Sequence, residues 1–192
     1  GQKPVVAIAN SLAASAAYWL GSAASELYVS PGGEVGSIGV WSAHEDWSKA
    51  LAEAGITTTL ISAGKYKTEG NPYEPLSADA RAFMQGRVDD YYGAFTKAIA
   101  RNRGVPLATV RDGMGQGRVL GAQAAKDTGM VDDICTFDQA LAKLSKSVKS
   151  KTRSQASFSA MRAVQTEESG TNGVAASNAL ARRRREIDLA SL

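Results

Sequence analysis

Ser15, Lys65 and Lys67 are the residues whose types and spacing could support acyl transfer. Ser15 follows the apolar run Val5-Val6-Ala7-Ile8-Ala9 by a few residues and opens a segment of small residues. A serine so placed can aim its hydroxyl into a cleft, and small neighbours admit a substrate backbone. The first N–H groups of a helix have no partner inside it, so they can stabilise an oxyanion. A serine hydroxyl is a poor nucleophile and needs a base. The single histidine, His44, lies in Ser42-Ala43-His44-Glu45-Asp46 and reads as a polar residue near a helix start. A lysine is then the candidate, and it serves as a base only when desolvation or neighbouring cations lower its proton affinity. Lys65 and Lys67 lie in the polar loop from Ser62 to Pro72. On spacing alone two readings stand: a Ser-Lys pair, or a stray serine and two solvated lysines.

Other chemistries find less support. No phosphate-binding loop of the Gly-x-x-x-x-Gly-Lys-Ser/Thr type is present, and Gly113-Met114-Gly115-Gln116-Gly117 reads as a plain loop. The lone Cys135 excludes a disulfide within the chain and argues against a cysteine-based metal site. Its apolar context marks it as a small core residue. No metal or cofactor is expected. The pI near 9.0 invites a nucleic-acid partner. However, residues 145–192 carry 9 Lys and Arg against 4 Asp and Glu, a net of +5, which leaves 13 against 15, a net of −2, for residues 1–144. The basic character belongs to the tail, so the globular part has no nucleic-acid footprint.

The elements that must position these residues follow from hydropathy. Residues 5–9 suit a strand buried on both faces. Leu12 to Ala24 reads as a buried helix, Leu27 to Val29 as a strand, and Ser30-Pro31-Gly32-Gly33 as a turn. Gly36 to Trp41 is a glycine-punctuated strand or loop. Asp46 to Ala54 is helical and stops at Gly55, and Ile56 to Ile61 is β-branched and strand-like. Ser77 caps a long helix with apolar Met84, Val88, Tyr91, Phe95 and Ile99, ended by Gly104. Short helices follow at Leu107 to Gly113 and Gly121 to Thr128, then a strand at Met130 to Ile134 and a helix from Phe137 to Leu144. Alternating strands and helices give an α/β class with a largely parallel sheet.

Composition divides the chain at residue 144. Residues 1–144 form the globular domain. Residues 145–173 read as a flexible linker, and Ala175 to Leu192, with Arg182 to Arg185, as a solvated or partner-binding helix. No apolar run reaches the ~18 residues that span a bilayer. The chain opens inside a strand without an initiator methionine, as a fragment of a longer protein would.

Four segments in order resemble one family. Lys3 to Ala7 through Ala13-Ala14-Ser15-Ala16-Ala17-Tyr18 looks like the nucleophile segment of the signal peptide peptidase A family. Gly36-Ser37-Ile38-Gly39-Val40 and Ser62 to Pro72 resemble its second and lysine motifs. Gly117 to Ala125 with Gly129-Met130-Val131-Asp132 resembles its closing βα unit. Ser42-Ala43-His44 and Glu69-Gly70-Asn71-Pro72-Tyr73 are most similar to the bacteriophage branch, the prohead or capsid-assembly proteases. The likeness covers residues 3–144.

The resemblance implies a ClpP/crotonase-like α/β fold whose N-terminal part is missing here. It implies a serine endopeptidase with Ser15 as nucleophile and Lys67 as general base, Lys65 being the fallback. Ser37 would orient the lysine, and the Ala16 N–H would help form the oxyanion hole. The family usually has glycines where this chain has Ala16 and Ala17, and its other oxyanion donor lies upstream of Gly1. The implied partners are a protein or peptide substrate, further copies in a homo-oligomer, and capsid and scaffold proteins in the cytoplasm of a phage-infected or prophage-carrying bacterium. One alternative is a bacterial enzyme degrading remnant signal peptides, held at the membrane by an upstream anchor. The other is a catalytically silent scaffold or assembly module.

Overall fold

Strand β1 (Val6–Ala9) and strand β3 (Glu26–Val29) pair in parallel, and both chains then step into a second sheet at equivalent points. The step after β1 is Asn10-Ser11, where Ser11 takes φ 119° and its carbonyl accepts from Glu34 N–H at 2.7 Å. The step after β3 is the turn from Ser30 to Gly33, closed by Gly33 N–H to the Ser30 carbonyl at 2.8 Å. Beyond the steps, β2 (Leu12–Ala14) and β4 (Glu34–Gly36) pair again in parallel. The computed structural model describes residues 3–149 of the 192.

The remaining elements are α1 (Ala16–Ser22), α2 (Ser48–Glu53), α3 (Ala78–Arg103), a π-turn at Thr109–Gly113, β5 (Val119–Gly121), α4 (Ala122–Asp127) and β6 (Asp133–Ile134). A last helix covers 137–149. The first sheet runs β1-β3-β6, all parallel, and the second runs β2-β4-β5 with β5 antiparallel. The result is a mixed α/β architecture of two small sheets where the sequence suggested one. The non-glycine kink at Ser11 divides them, and no hydropathy pattern announces it.

The core joins Ala9, Leu27 and Val29 of the first sheet to Val35 and Ile38, with Tyr18, Phe95, Ile99, Met114 and Met130 around them. Each large apolar side chain so buried contributes about 1.5–3 kcal/mol. Cys135 is buried with Tyr28 and Ala140 in a smaller cluster, consistent with its reading as a core residue. Helix α3 begins and ends where its sequence says. The Ser77 hydroxyl accepts from Ala80 N–H at 3.1 Å, and Gly104 adopts the left-handed conformation, φ 64°, that closes the helix. Its apolar stripe is buried only at the C-terminal end. Phe95 and Ile99 are in the core, while Tyr91 is exposed and Met84 and Val88 half-buried.

Two expectations fail. Leu12 to Ala24 is not a single helix, because Leu12–Ala14 pairs with β4 and α1 starts only at Ala16. Ile56 to Ile61 joins neither sheet and lies exposed, Ile61 at 95%. β-branched residues favour a strand only when a neighbouring strand offers hydrogen bonds and a surface to pack on. Among the described residues none lies beside this segment.

The chain divides into two units, residues 1–140 and 141–192. The second is described only over 141–149, which is helical and so carries the helix expected to end at Leu144 into the stretch read as linker. The rest of that linker and the helix from Ala175 to Leu192 lie outside the described residues.

Candidate active site

Ser15 sits alone between a strand and a helix. β2 ends at Ala14, α1 begins at Ala16, and Ser15 bridges them with φ 53° and ψ −122°. A side chain is rarely tolerated there, and such positions cost about 1–3 kcal/mol. A sharp strand-to-helix turn of this type holds a nucleophile out from the backbone. Ser15 is exposed, and its side chain makes no capping hydrogen bond to the helix. Its N–H donates to the Gly36 carbonyl at 2.7 Å, and its carbonyl accepts from Trp19 N–H at 3.0 Å.

The turn is fixed from both sides. Tyr18, fully buried on α1, donates its hydroxyl to the Met130 carbonyl at 2.9 Å. Trp19 stacks on Phe95 of α3 with ring centroids 4.7 Å apart and planes 6° apart. Buried Ser22 donates to the Trp19 carbonyl at 2.7 Å and accepts from Asn102 at 2.9 Å. Gly36 makes the other side possible. A Cβ there would lie 2.8 Å from the Arg118 carbonyl and 3.2 Å from the Met130 methyl, and φ is 128°.

Ser37 follows Gly36 with φ 54°, half-buried, and donates its N–H to the Arg118 carbonyl at 2.9 Å. Because Ala14 pairs with Gly36, Ser15 and Ser37 are neighbours across two adjacent strands. Two serines at positive φ, side by side, had no signal in the sequence, where glycine is the residue expected in such conformations.

Lys67 belongs to a loop of consecutive turns. Lys67 N–H donates to the Gly64 carbonyl at 3.1 Å, Glu69 N–H to Tyr66 at 3.2 Å, and Asn71 N–H to Thr68 at 3.1 Å. Lys67 is exposed and its ammonium forms no hydrogen bond to Ser15 or Ser37. Lys65 lies over the Tyr66 ring, 4.9 Å from its centroid. The structure thus brings Ser15, Ala16 and Ser37 together, and among the described residues no hydrogen bond links either lysine side chain to them. Beside the lysine loop, Tyr66, Glu69, Asp79, Ala82 and Phe83 line an open cleft of about 540 Å³.

Peptidase family S49 matches residues 1–151, and the chain belongs to that family. It is 36% identical over 139 residues to the capsid assembly protease C of Escherichia phage lambda, covering 72% of this chain and 31% of that protein. It is 34% identical over 152 residues to the head-tail preconnector protein GP5 of Enterobacteria phage P21, covering 79% and 30%. Protease 4 of Salmonella typhi is 29% identical over 149 residues, covering 78% and 24%. The chain spans about a third or less of the length of these relatives. The resemblance drawn from the motifs is therefore shown at the level of the family. Among the described residues no helix is long and apolar enough to cross a membrane.

Proposed function

We propose that this chain carries the nucleophile and base of a serine endopeptidase with a ClpP/crotonase-like architecture, active in phage head assembly. Ser15 is the nucleophile, Lys67 the general base, Ser37 the residue that orients the lysine, and the Ala16 N–H an oxyanion donor. The observation that carries this is the backbone of Ser15. A residue held at φ 53° between strand and helix, exposed and anchored by Tyr18 and Gly36, is costly for folding and suited to presenting a hydroxyl.

In the reaction, neutral Lys67 takes the Ser15 proton as Oγ attacks the scissile carbonyl carbon. The tetrahedral oxyanion is held by backbone N–H groups. The lysine ammonium returns the proton to the leaving amine as the C–N bond breaks. Water, deprotonated by the same amine, then attacks the acyl-enzyme ester and releases the acid and Ser15. No metal or cofactor enters these steps.

The substrates are capsid and scaffold proteins, and the setting is the cytoplasm of a phage-infected or prophage-carrying bacterium; the identities to the lambda and P21 proteins support this. We also propose a homo-oligomer. Ile56, Leu60, Ile61 and Tyr66 are exposed along the segment that leads to Lys67, and a second copy laid on it would bury that apolar surface and take water from the lysine. Two observations favour other readings. Similarity to a putative signal peptide peptidase SppA of Enterococcus faecium fits a degrader of signal-peptide remnants. The absence of a Lys67–Ser15 hydrogen bond among the described residues fits a silent assembly module.

The test is co-expression with a candidate phage capsid protein, followed by intact-mass analysis, for wild type, Ser15→Ala and Lys67→Ala. Processing by wild type alone is the expected result. Identical masses in all three favour the silent module.

A further inference from the structure

We propose that His44 is a positioning residue that holds the Lys67 loop in place through Asn71; this deepens the peptidase reading and rests on it. Lys67 lies on a loop that belongs to no sheet or helix, and the residue is exposed. A base on such a loop loses rate steeply when misplaced, because an error of about 1 Å can cost roughly a hundredfold. Something must fix the loop.

The fixing contacts come from the segment that follows Ser37. His44 is half-buried in a stretch where Trp41 to Ala43 and Glu45 to Trp47 are all exposed. Its Nε2 lies 2.9 Å from the Asn71 carbonyl oxygen, so Nε2 carries the proton and donates. Three residues on, Trp47 N–H donates to the Pro72 carbonyl at 2.8 Å. The two bonds run side by side and clasp the segment after Ser37 to the end of the lysine loop.

Asn71 passes this restraint back towards Lys67. Its side-chain amide donates to the Thr68 carbonyl at 2.8 Å and to the Glu74 carboxylate at 2.6 Å. Its Oδ1 accepts from Tyr73 N–H at 2.9 Å. Its own N–H also donates to the Thr68 carbonyl, at 3.1 Å. Thr68 is thus gripped twice, and Thr68 is the residue after Lys67. The only histidine of the chain therefore has a role that needs neither ring nitrogen to touch substrate. Both the neutral Nε2–H tautomer and the imidazolium can donate to a carbonyl.

The test compares His44→Ala, His44→Gln and Asn71→Asp with wild type in two measurements. The glutamine amide can still donate to the Asn71 carbonyl. The aspartate keeps the acceptor for Tyr73 and loses the side-chain donors to Thr68 and Glu74. Hydrogen exchange is followed at the amides of Lys67, Glu69, Asn71 and Tyr73, and kcat and KM are measured on a fluorogenic peptide library. In His44→Ala and Asn71→Asp, exchange is expected to quicken about tenfold and kcat to fall about tenfold or more with KM within about twofold. His44→Gln is expected to recover most of both. Unchanged exchange in His44→Ala overturns the clasp, whether or not the protein cleaves peptides. Faster exchange with unchanged kcat overturns the positioning role. A wild type that hydrolyses nothing removes the peptidase reading and the positioning role with it, and the exchange result still decides the clasp.

Discussion

Ser15 occupies a conformation whose cost and use can be separated by substitution. Glycine at 15 relieves about 1–3 kcal/mol of backbone strain and gives back about 0.5–1 kcal/mol as extra entropy of the unfolded chain. Ser15→Gly is thus expected to be about 1 kcal/mol more stable than Ser15→Ala in urea unfolding, since alanine keeps the strain. Both should be inactive. Tyr18 is the second residue to probe. Tyr18→Phe leaves the Met130 carbonyl buried and unpaired at a cost of about 1–3 kcal/mol. Burial raises the Tyr18 pKa far above its usual value, outweighing the pull of the nearby Arg103. A raised folded pKa means stability is whole below the unfolded value of about 10 and is lost as pH climbs beyond it. Wild type should lose stability in that alkaline range more steeply than Tyr18→Phe, as thermal melts between pH 9 and pH 11 would report, values bracketing the tyrosine reference of about 10. The residue types at this site were legible in the sequence: a serine among small neighbours and a lysine on a loop. Their φ values were not, because a serine at positive φ looks like any other serine until the strand beside it is known.

At the scale of elements, α1 and β4 hold Ser15, the proposed nucleophile, between them. Gly36→Ala is expected to destabilise the fold by about 2 kcal/mol or more, because its Cβ meets the Arg118 carbonyl and its φ of 128° disfavours any side chain. The loss should appear together with a fall in activity, since the Gly36 carbonyl holds Ser15 N–H. A different lock ties α3 to β3. Asp132 accepts from Arg103 at 2.9 and 3.0 Å and from Leu27 N–H at 2.7 Å. Burial pushes the Asp132 carboxyl up, but the bonds from Arg103 and Leu27 outweigh it and leave the pKa lowered. That stability is present above the unfolded value of about 3.9 and lost as pH falls through the folded one. Asp132→Asn should cost about 1 kcal/mol at neutral pH and flatten the acid limb of a stability curve, the pair being partly exposed. Helix α3 was legible from end to end, because Ser77, the apolar stripe and Gly104 are local signals. β2 was not. Leu12-Ala13-Ala14 has the composition of a helix, and only the parallel partner Glu34–Gly36 makes it a strand.

At the scale of the whole chain, the surface of the described residues is uneven. Trp41, Ile56, Ile61, Tyr66 and Phe83 are exposed, Trp41 at 84%, while the core gathers around the two sheets. If further copies cover the segment before Lys67, Ile61→Asp should shift the protein towards monomer in sedimentation velocity and lower peptidase activity in step. An unchanged sedimentation coefficient counts against that surface. The family was legible because four motifs stand in order along the chain, and peptidase family S49 indeed matches residues 1–151. The hold on the loop of Lys67 was not legible, since its partners His44 and Trp47 lie outside the loop's own sequence neighbourhood. The most direct measurement is therefore covalent: react the protein with a serine-directed fluorophosphonate and map the adduct by peptide mass, in wild type and Lys67→Ala. A single adduct on Ser15, formed about a hundredfold more slowly without Lys67, is the result expected of a Ser-Lys peptidase. No adduct on Ser15, or labelling at the same rate in Lys67→Ala, would contradict it.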